Sequence, residues 1–244
     1  MVIKLQIVSD LHLEAPKAYD IFEITPKAPH LALLGDIGYI SHKQAYFDFL
    51  RRHLLKFQTV FLVLGNHESW DASWDATKQA IREFERETSQ ERQSTAGLGE
   101  FILLDRNVYH LRGSTKDESV AILGCTLFSS VPAQSTTAVS FGINDFYNTD
   151  DWTVEKHNAQ FEGDIQWLNE KVSSLRGTKI VVLTHYSPTL DERTCDPRHK
   201  DSQIQSGFAT DLSSHLTGKR VIANQRGYYF GQSVAFDDGK VIEL

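Results

Sequence analysis

The stretch TVFLVLGNHE, residues 59–68, decides the fold. Its first six residues are mostly β-branched or large and apolar, and Gly65 closes them, a pattern that predicts a strand buried on both faces. Asn66, His67 and Glu68 follow the carboxyl end of this strand, where open α/β sheets keep their ligand sites. Gly65 permits a sharp turn, so we expect Asn66 and His67 to face a ligand held above the sheet.

Two earlier apolar stretches end in residues of similar chemistry. Residues 2–8 predict a strand that runs into Asp10 and His12, and residues 30–34 predict a strand that ends before Asp36. In an extended chain the i, i+2 spacing puts Asp10 and His12 on one side, so both could bind one cation. Taken singly, each of these residues is better explained as an ordinary turn or helix-cap carboxylate or as an incidental histidine.

The rest of the chain mixes helical and strand patterns. Apolar residues at helical spacing predict helices over residues 41–57, 70–92 and 153–177, and the first of these would join two parallel strands by a right-handed crossover. Short β-type segments predict a second sheet with hairpin-like pairing, over residues 101–104, 108–111 and 119–127. Residues 129–149 show no clear period and predict a loop near the site. Residues 179–183 predict a strand that leads to His185.

Composition limits the class of protein. A chain of 244 residues with 41% hydrophobic content can bury a substantial core, and we expect one domain over residues 1–244. The formal charge of −7 disfavours nucleic acid as a main partner. Cys125 and Cys195 show no metal or disulfide spacing and are expected to be reduced thiols. No signal peptide or apolar run of about 18 residues is visible, so a soluble cytoplasmic protein without a membrane partner is expected.

The ordered motifs together resemble the calcineurin-like metallophosphoesterase superfamily. Asp-x-His, Gly-Asp, Gly-Asn-His-Glu and a later strand-end histidine occur here in the order of that family. The resemblance implies an α/β sandwich of two mixed β-sheets packed face to face, with helices outside in a four-layer arrangement. It also implies a dinuclear centre of two divalent metal ions, such as Mn, Fe or Zn, that activates water against a phosphoester.

The resemblance also implies a role for each matched residue. Asp10, His12 and Asp36 would bind the first metal. Asp36 as a shared bridge, Asn66 and His185 would bind the second. His67 would not be a ligand. Both His67 and Asn66 would be catalytic residues. Beside the metal cluster, His67 would protonate the leaving alkoxide as a general acid or stabilise the phosphoryl oxygens in its charged form.

The chain departs from the family after His185, because no Gly-His-x-His occurs in it. Residues 207–216 resemble the helix that precedes this motif, residues 219–227 resemble the strand and turn that follow it, and only Thr217 and Gly218 separate them. The pattern indicates a deletion of one strand and its loop, whether in an isoform, a gene model or the protein itself. Each metal would then keep three of four ligands. Removal of a strand from one sheet would expose a hydrogen-bonding edge or force the neighbouring strands to close the gap, which predicts reduced stability or dimerisation.

Two functional hypotheses follow for a chain with the metallophosphoesterase fold. The first is a metal-dependent phosphoester hydrolase, active or impaired by the missing motif, with a small molecule as the favoured substrate. The alternative is a catalytically inactive protein of this fold, or a shortened isoform, that acts as a binding module. A third interpretation makes the histidines and carboxylates core and turn residues. Residues 129–149 and 186–206 would set the substrate, and residues 233–244 predict a terminal hairpin around Asp238 and Gly239.

Overall fold

The computed structural model describes residues 2–113, 119–191 and 202–244. Within these ranges the strands are, in chain order, β1 (Lys4–Val8), β2 (His30–Leu34), β3 (Thr59–Val63), β4 (Ala72–Ser73), β5 (Glu100–Leu103), β6 (Asn107–Arg112), β7 (Ser119–Gly124), β8 (Thr149–Asp150), β9 (Lys179–Leu183) and β10 (Val241–Glu243). The α-helices are α1 (Lys43–Leu54), α2 (Trp74–Arg92), α3 (Thr136–Gly142), α4 (Asp145–Asn148) and α5 (Val154–Ser174).

The strands form one large sheet, one small sheet and a two-stranded pair. The large sheet has the order β10-β1-β2-β3-β5, with β1, β2, β3 and β5 parallel and β10 antiparallel at the edge. The small sheet has the order β6-β7-β9, with a β6–β7 antiparallel pair and β9 parallel to β7. The predicted parallel strands joined through α1 are therefore confirmed, as is the second sheet. The prediction for residues 101–104 was wrong in one respect, because β5 joins the large sheet beside β3.

Side chains of the large sheet alternate between two cores, as a strand buried on both faces requires. Phe61 and Val63 of β3 pack toward the small sheet against Val120 and Ile122 of β7. Leu62, between them in sequence, packs on the opposite face with residues of α1 and α2. Two mixed sheets thus lie face to face with helices outside, as expected.

The three helices predicted from apolar spacing are confirmed as α1, α2 and α5. The apolar side chains of α5 are less buried than its sequence pattern suggests. Thr153 caps α5 by accepting a hydrogen bond from the backbone N–H of Lys156, as its sequence position indicates. Phe161 of α5 packs against the main core, but Val172 near the end of the helix is 40% exposed. The apolar stripe of α5 is therefore only partly buried.

The predicted loop over residues 129–149 was wrong in detail. It contains α3 and α4, and it ends in β8, which pairs with β4. Helical spacing was invisible in the sequence because α3 and α4 are short and present few buried side chains. The segment still reaches the site, since Asp145 of α4 contacts Asn66.

Three predictions for the C-terminal part were wrong. Residues 207–216 contain no α-helix but two single 3-10 turns, Gln205–Gly207 and Ser213–His215, the first of which begins just before the range. Residues 219–227 form no strand and make one isolated bridge, between Gln225 and Ser9. Residues 233–244 do not pair with each other as a hairpin. Instead β10 pairs antiparallel with the edge of β1 that β2 leaves free, and this pairing places Ile242 opposite Leu5 against the core.

Two further expectations concern cysteine and membranes. Cys125 is a buried free thiol, whereas Cys195 lies outside the described residues. None of the helices in the described ranges combines the length and the apolar content that crossing a bilayer demands.

Candidate metal centre

The ends of four strands meet at one edge of the two sheets. Asp10 follows β1, Asp36 follows β2 and Asn66 follows β3, while His185 arrives from β9 of the small sheet. Gly35 precedes Asp36 and Gly65 precedes Asn66, and neither position has room for a side chain. A Cβ on Gly65 would lie 2.2 Å from Asp36 Oδ1, and one on Gly35 would lie 2.5 Å from His185 Nδ1. The Gly-Asp and Gly-Asn-His-Glu patterns therefore reflect close approach at the site.

Asp10, Asp36 and His185 form one group of possible metal ligands. His185 Nε2 lies 3.4 Å from Asp36 Oδ1 and 3.0 Å from Asn66 Oδ1, while its Nδ1 is 2.9 Å from the carbonyl oxygen of Leu34. Burial raises the pKa of Asp10. Burial acts in the same direction on Asp36, but charged His185, His67 and His12 outweigh it and lower the pKa of Asp36 to about 2.

His12, Glu14 and His67 form a second buried group. Glu14 Oε1 lies 3.1 Å from His12 Nδ1 and 3.1 Å from His67 Nδ1. The Nε2 atoms of both histidines lie 3.9 Å from Asp36 Oδ2. Asp36 therefore stands between the two groups, with one carboxylate oxygen toward each.

The structure groups Asp10 and His12 differently from the sequence argument. The i, i+2 spacing places two side chains on one side only in an extended chain, but Asp10 and His12 adopt left-handed backbone angles, with φ of 56° and 48°. The predicted extended conformation of this segment was therefore wrong. Asp10 turns toward His185, and His12 turns toward His67.

Glu68 holds the loops of the site together, a role that the sequence argument missed. Its carboxylate accepts hydrogen bonds from the backbone N–H groups of Gly65 at 2.8 Å, Asp36 at 3.0 Å and Ile37 at 2.8 Å. It also accepts one from the hydroxyl of Tyr46 at 3.1 Å. Burial and the nearby Asp36 charge raise the pKa of Glu68 to about 7. Its place in the Gly-Asn-His-Glu motif was the available signal.

Asp145 orients Asn66, and no sequence pattern indicated it. Asp145 Oδ1 accepts hydrogen bonds from Asn66 Nδ2 and from Trp70 Nε1, both at 2.9 Å. Because the amide nitrogen of Asn66 is engaged there, its carbonyl oxygen is directed to His185. The residue lies in residues 129–149, where the sequence shows no period.

Tyr228, Trp70 and the two histidines pack as a layer of rings over the centre. The Tyr228 ring stacks on His12 with ring centroids 4.0 Å apart, and its hydroxyl lies 3.2 Å from His67 Nε2. Trp70 stacks on His67 at 3.8 Å. Tyr228 lies beyond Thr217 and Gly218, where no site residue was predicted, so no sequence pattern indicated its place at the site.

The donor atoms fit a divalent metal. First-row metals sit about 2.0–2.2 Å from nitrogen and oxygen ligands, so neighbouring ligand atoms lie roughly 3 to 3.5 Å apart. The His185 Nε2 distances to Asp36 Oδ1 and Asn66 Oδ1, 3.4 and 3.0 Å, fall in this range. Imidazole, carboxylate and amide oxygen together suit Mn, Fe or Zn. The chain lacks the two histidines that a Gly-His-x-His motif would add as ligands. The nearby His215 is exposed and lies beside Ser214.

Comparisons with known proteins agree with this architecture. A model of the calcineurin-like phosphoesterase family matches residues 3–222. Among solved structures, the chain is similar to a phosphopantetheinyl hydrolase from Mycobacterium tuberculosis, with a TM-score of 0.61 and 15% sequence identity over 99% of this chain and 88% of that chain. At this identity the likeness concerns the fold. A comparison with curated protein sequences finds no match.

Proposed function

The chain belongs to the calcineurin-like phosphoesterase family, whose chemistry is metal-dependent phosphoester hydrolysis, and we propose that its centre holds two metal ions on the shared carboxylate of Asp36. Asp10 and His12, which approach Asp36 from different groups of donor atoms, would hold the first ion together with Asp36. Asp36, Asn66 and His185 would hold the second. The substrate we propose is a small phosphoester, acted on by a single domain over residues 1–244 in the cytoplasm.

The position of Asp36 carries the proposal. Its Oδ1 faces His185 Nε2 at 3.4 Å, and its Oδ2 faces His12 Nε2 at 3.9 Å. A two-metal site needs a carboxylate that can serve both ions, and Asp36 presents one oxygen to each group of ligands. Its low pKa keeps the carboxylate ionised at neutral pH.

Two such cations would neutralise phosphoryl oxygens and acidify a water. His67 supplies the proton chemistry of the chain itself. Burial disfavours its charged ring, but Asp36 and Glu14 outweigh burial and raise the pKa of His67 to about 9. In the metal-free chain His67 therefore holds a proton at neutral pH. Its Nε2 lies on the side of Asp36 Oδ2. From there Nε2 would donate a proton to the leaving oxygen of the substrate.

The missing Gly-His-x-His is the reason to propose an impaired centre. Each metal would keep three protein ligands, and fewer ligands mean a larger dissociation constant for the metal. The competing function is a binding module of this fold that no longer turns over substrate. It is favoured by the same observation, namely the loss of two histidine ligands from the sequence.

The deciding experiment combines metal loading and hydrolysis. The purified chain with added Mn²⁺ is assayed on p-nitrophenyl phosphate and bis-p-nitrophenyl phosphate, beside Asp36→Ala and His67→Ala. We expect Asp36→Ala to lower kcat/KM at least about 100-fold, since one preorganised electrostatic group is typically worth that much. We expect His67→Ala to lower kcat by about the factor of 100 or more that general acid catalysis contributes.

Matched controls separate the site from general damage. Asp75, whose side chain is 93% exposed on α2, controls for loss of a carboxylate, and exposed His110 on β6 controls for loss of an imidazole. Asp75→Ala and His110→Ala should keep wild-type rates. Metal binding without any hydrolysis would reject catalysis by this chain and favour the binding module. Hydrolysis that survives Asp36→Ala would reject the proposed centre.

A further inference from the structure

Glu14 lies beneath the two histidines that face Asp36. The side chains of His12, Glu14 and His67 are 5, 2 and 6% exposed, so water contributes little to their hydrogen bonding. Glu14 Oε1 lies 3.1 Å from Nδ1 of each histidine. The other oxygen, Oε2, is buried and has no hydrogen-bond partner among the described residues. The hydrogen bonding of this carboxylate is therefore concentrated on the two rings.

This arrangement determines which ring nitrogen carries the hydrogen. A carboxylate accepts hydrogen bonds, so His12 and His67 each present an Nδ1–H group to Glu14. The opposite nitrogens then face the centre, since Nε2 of each ring lies 3.9 Å from Asp36 Oδ2. The rings meet edge to face, with centroids 4.6 Å apart. One carboxylate thus sets the orientation of both.

We propose that Glu14 is a positioning residue that fixes the Nδ1–H form and the orientation of both His12 and His67. It would thereby prepare a metal ligand and the proton donor together, from a single side chain two residues beyond the Asp-x-His motif. Outer carboxylates that accept from a ligating histidine fix its tautomer and strengthen metal binding. This inference rests on the function proposed above, in which His12 Nε2 binds metal and His67 Nε2 handles the proton.

A different use of the same three residues is a metal bound by the Nδ1 atoms and Glu14 itself, since their donor atoms lie close together. The orientation of the rings favours positioning instead. A metal on the Nδ1 atoms would leave His12 Nε2 directed at Asp36 without a role, and would leave His67 Nε2 with only its contact to the Tyr228 hydroxyl. The two arrangements predict opposite fates for the ring hydrogens when metal is added.

The test observes the ring N–H groups directly. NMR of the full metal-free chain, ¹⁵N-labelled in histidine, should show slowly exchanging Nδ1–H signals for His12 and His67, assigned by their loss in His12→Asn and His67→Asn. Glu14→Ala should abolish both signals. Glu14→Gln retains a carbonyl acceptor and should keep them with faster exchange. Glu85→Ala is the matched control, because Glu85 is a half-buried carboxylate that accepts one backbone N–H, from Leu103 at 2.8 Å.

Adding Zn²⁺ completes the test. In the wild-type chain the Nδ1–H signals should persist while zinc binds, and calorimetry should show affinity about 10–100-fold weaker in Glu14→Ala but unchanged in Glu85→Ala. Loss of the wild-type signals on adding zinc would overturn the proposal in favour of a metal on the Nδ1 atoms. Signals that survive Glu14→Ala, or unaltered zinc affinity in that variant, would also overturn it.

These readouts do not require turnover. A chain that hydrolyses nothing but loses both ring signals in Glu14→Ala would refute the proposed catalysis and still support positioning by Glu14. If Glu14→Ala fails to fold, Glu14→Gln decides: faster ring N–H exchange and weaker zinc binding support the proposal, and wild-type behaviour overturns it.

Discussion

The loops that follow β1, β2 and β3 and the segment over residues 202–244 meet at the same centre but are held very differently. Asp36 and Glu68 are 4 and 0% exposed. The Glu68 carboxylate connects their loops by accepting hydrogen bonds from the backbone N–H groups of Asp36 and Ile37. In residues 202–244 most side chains are exposed or half-buried, and Phe230 is 96% exposed. This segment meets the centre through the backbone of Arg226 and Gly227, which pair with Ser9 and Asp10, and through Tyr228.

The difference shows that most of the centre is built by the strand-end loops and does not depend on residues 202–244, the part of the chain that lacks the family motif. Five proposed ligands come from strand ends whose positions are set by buried ladders and by Glu68. The segment after the junction adds a covering ring and an edge strand, β10. The residues proposed as ligands are therefore held in place although the chain lacks the motif. The following predictions test whether the two regions differ as much in energy as in structure.

The largest effect on stability is expected at Glu68. Glu68→Ala leaves the N–H groups of Gly65, Asp36 and Ile37 buried without their acceptor. Each unsatisfied group costs about 1–3 kcal/mol, so we expect the free energy of unfolding to fall by about 3 kcal/mol or more. Urea unfolding of the metal-free chain measures it. Glu85→Ala is the control, because it removes the acceptor of a single N–H, that of Leu103. Equal losses in the two variants would mean that Glu68 stabilises the loops after β2 and β3 no more than Glu85 stabilises its single contact.

A comparable effect is expected from pH through His67. Burial opposes its charge, but Asp36 and Glu14 raise its pKa in the folded chain to about 9, above the ordinary 6.5. Because the folded pKa is the higher one, this stabilisation is complete below pH 6.5 and is lost as pH rises through 9. The difference between the two pKa values corresponds to about 3 kcal/mol.

The measurement compares metal-free wild type with His67→Asn, which cannot titrate at this position. Urea unfolding at pH 6 should show the larger advantage of the wild type, and at pH 9.5 most of that advantage should be gone. His110→Asn, on the exposed side of β6, should show no such dependence. A wild-type advantage that is equal at both pH values would mean that the carboxylates do not hold the ring charged.

The strand-end region was largely predictable from sequence, for a physical reason. Apolar runs long enough to be buried strands fix where each strand ends, and parallel strands bring those ends to one edge. Asp36, Asn66 and His185 therefore lie where their spacing predicts. The local backbone was not predictable in the same way, since the left-handed turns at Asp10 and His12 depend on hydrogen bonds to the neighbouring loop over residues 35–37.

The remaining parts of the centre depend on contacts between distant segments. Asp145 reaches Asn66 across 79 positions, and Tyr228 reaches His67 across 161. Neither lies in a periodic stretch, so the sequence carries no local signal for their placement. The resemblance to the family also predicted a helix over residues 207–216, where the structure has only 3-10 turns. Glu14 was within reach of sequence reasoning, two residues beyond His12.

A smaller effect is expected at the open edge of the small sheet. In the described part of the chain β9 pairs with β7 alone, and Val182 on β9 is 42% exposed. Such an edge favours pairing with another chain, so we expect association at high protein concentration. Val182→Lys should weaken self-association about tenfold, which is about 1.4 kcal/mol. Sedimentation analysis measures it against Val221→Lys, equally exposed at 42% but outside any strand. A wild type that stays monomeric at all concentrations would refute the expectation.

The smallest effect is expected from the hydroxyl of Tyr228, through which the segment over residues 202–244 contacts His67, the proposed proton donor. Tyr228→Phe keeps the ring stacked on His12 and removes the hydrogen bond with His67 Nε2. We expect the free energy of unfolding of the metal-free chain to fall by about 1 kcal/mol, the usual net worth of one hydrogen bond. Phe230→Leu, at a 96% exposed position two residues on, should change it by less than about 0.5 kcal/mol. A loss in Tyr228→Phe as large as that in Glu68→Ala would mean that the C-terminal segment holds the centre as firmly as the strand ends do, and the contrast between the two regions would fail.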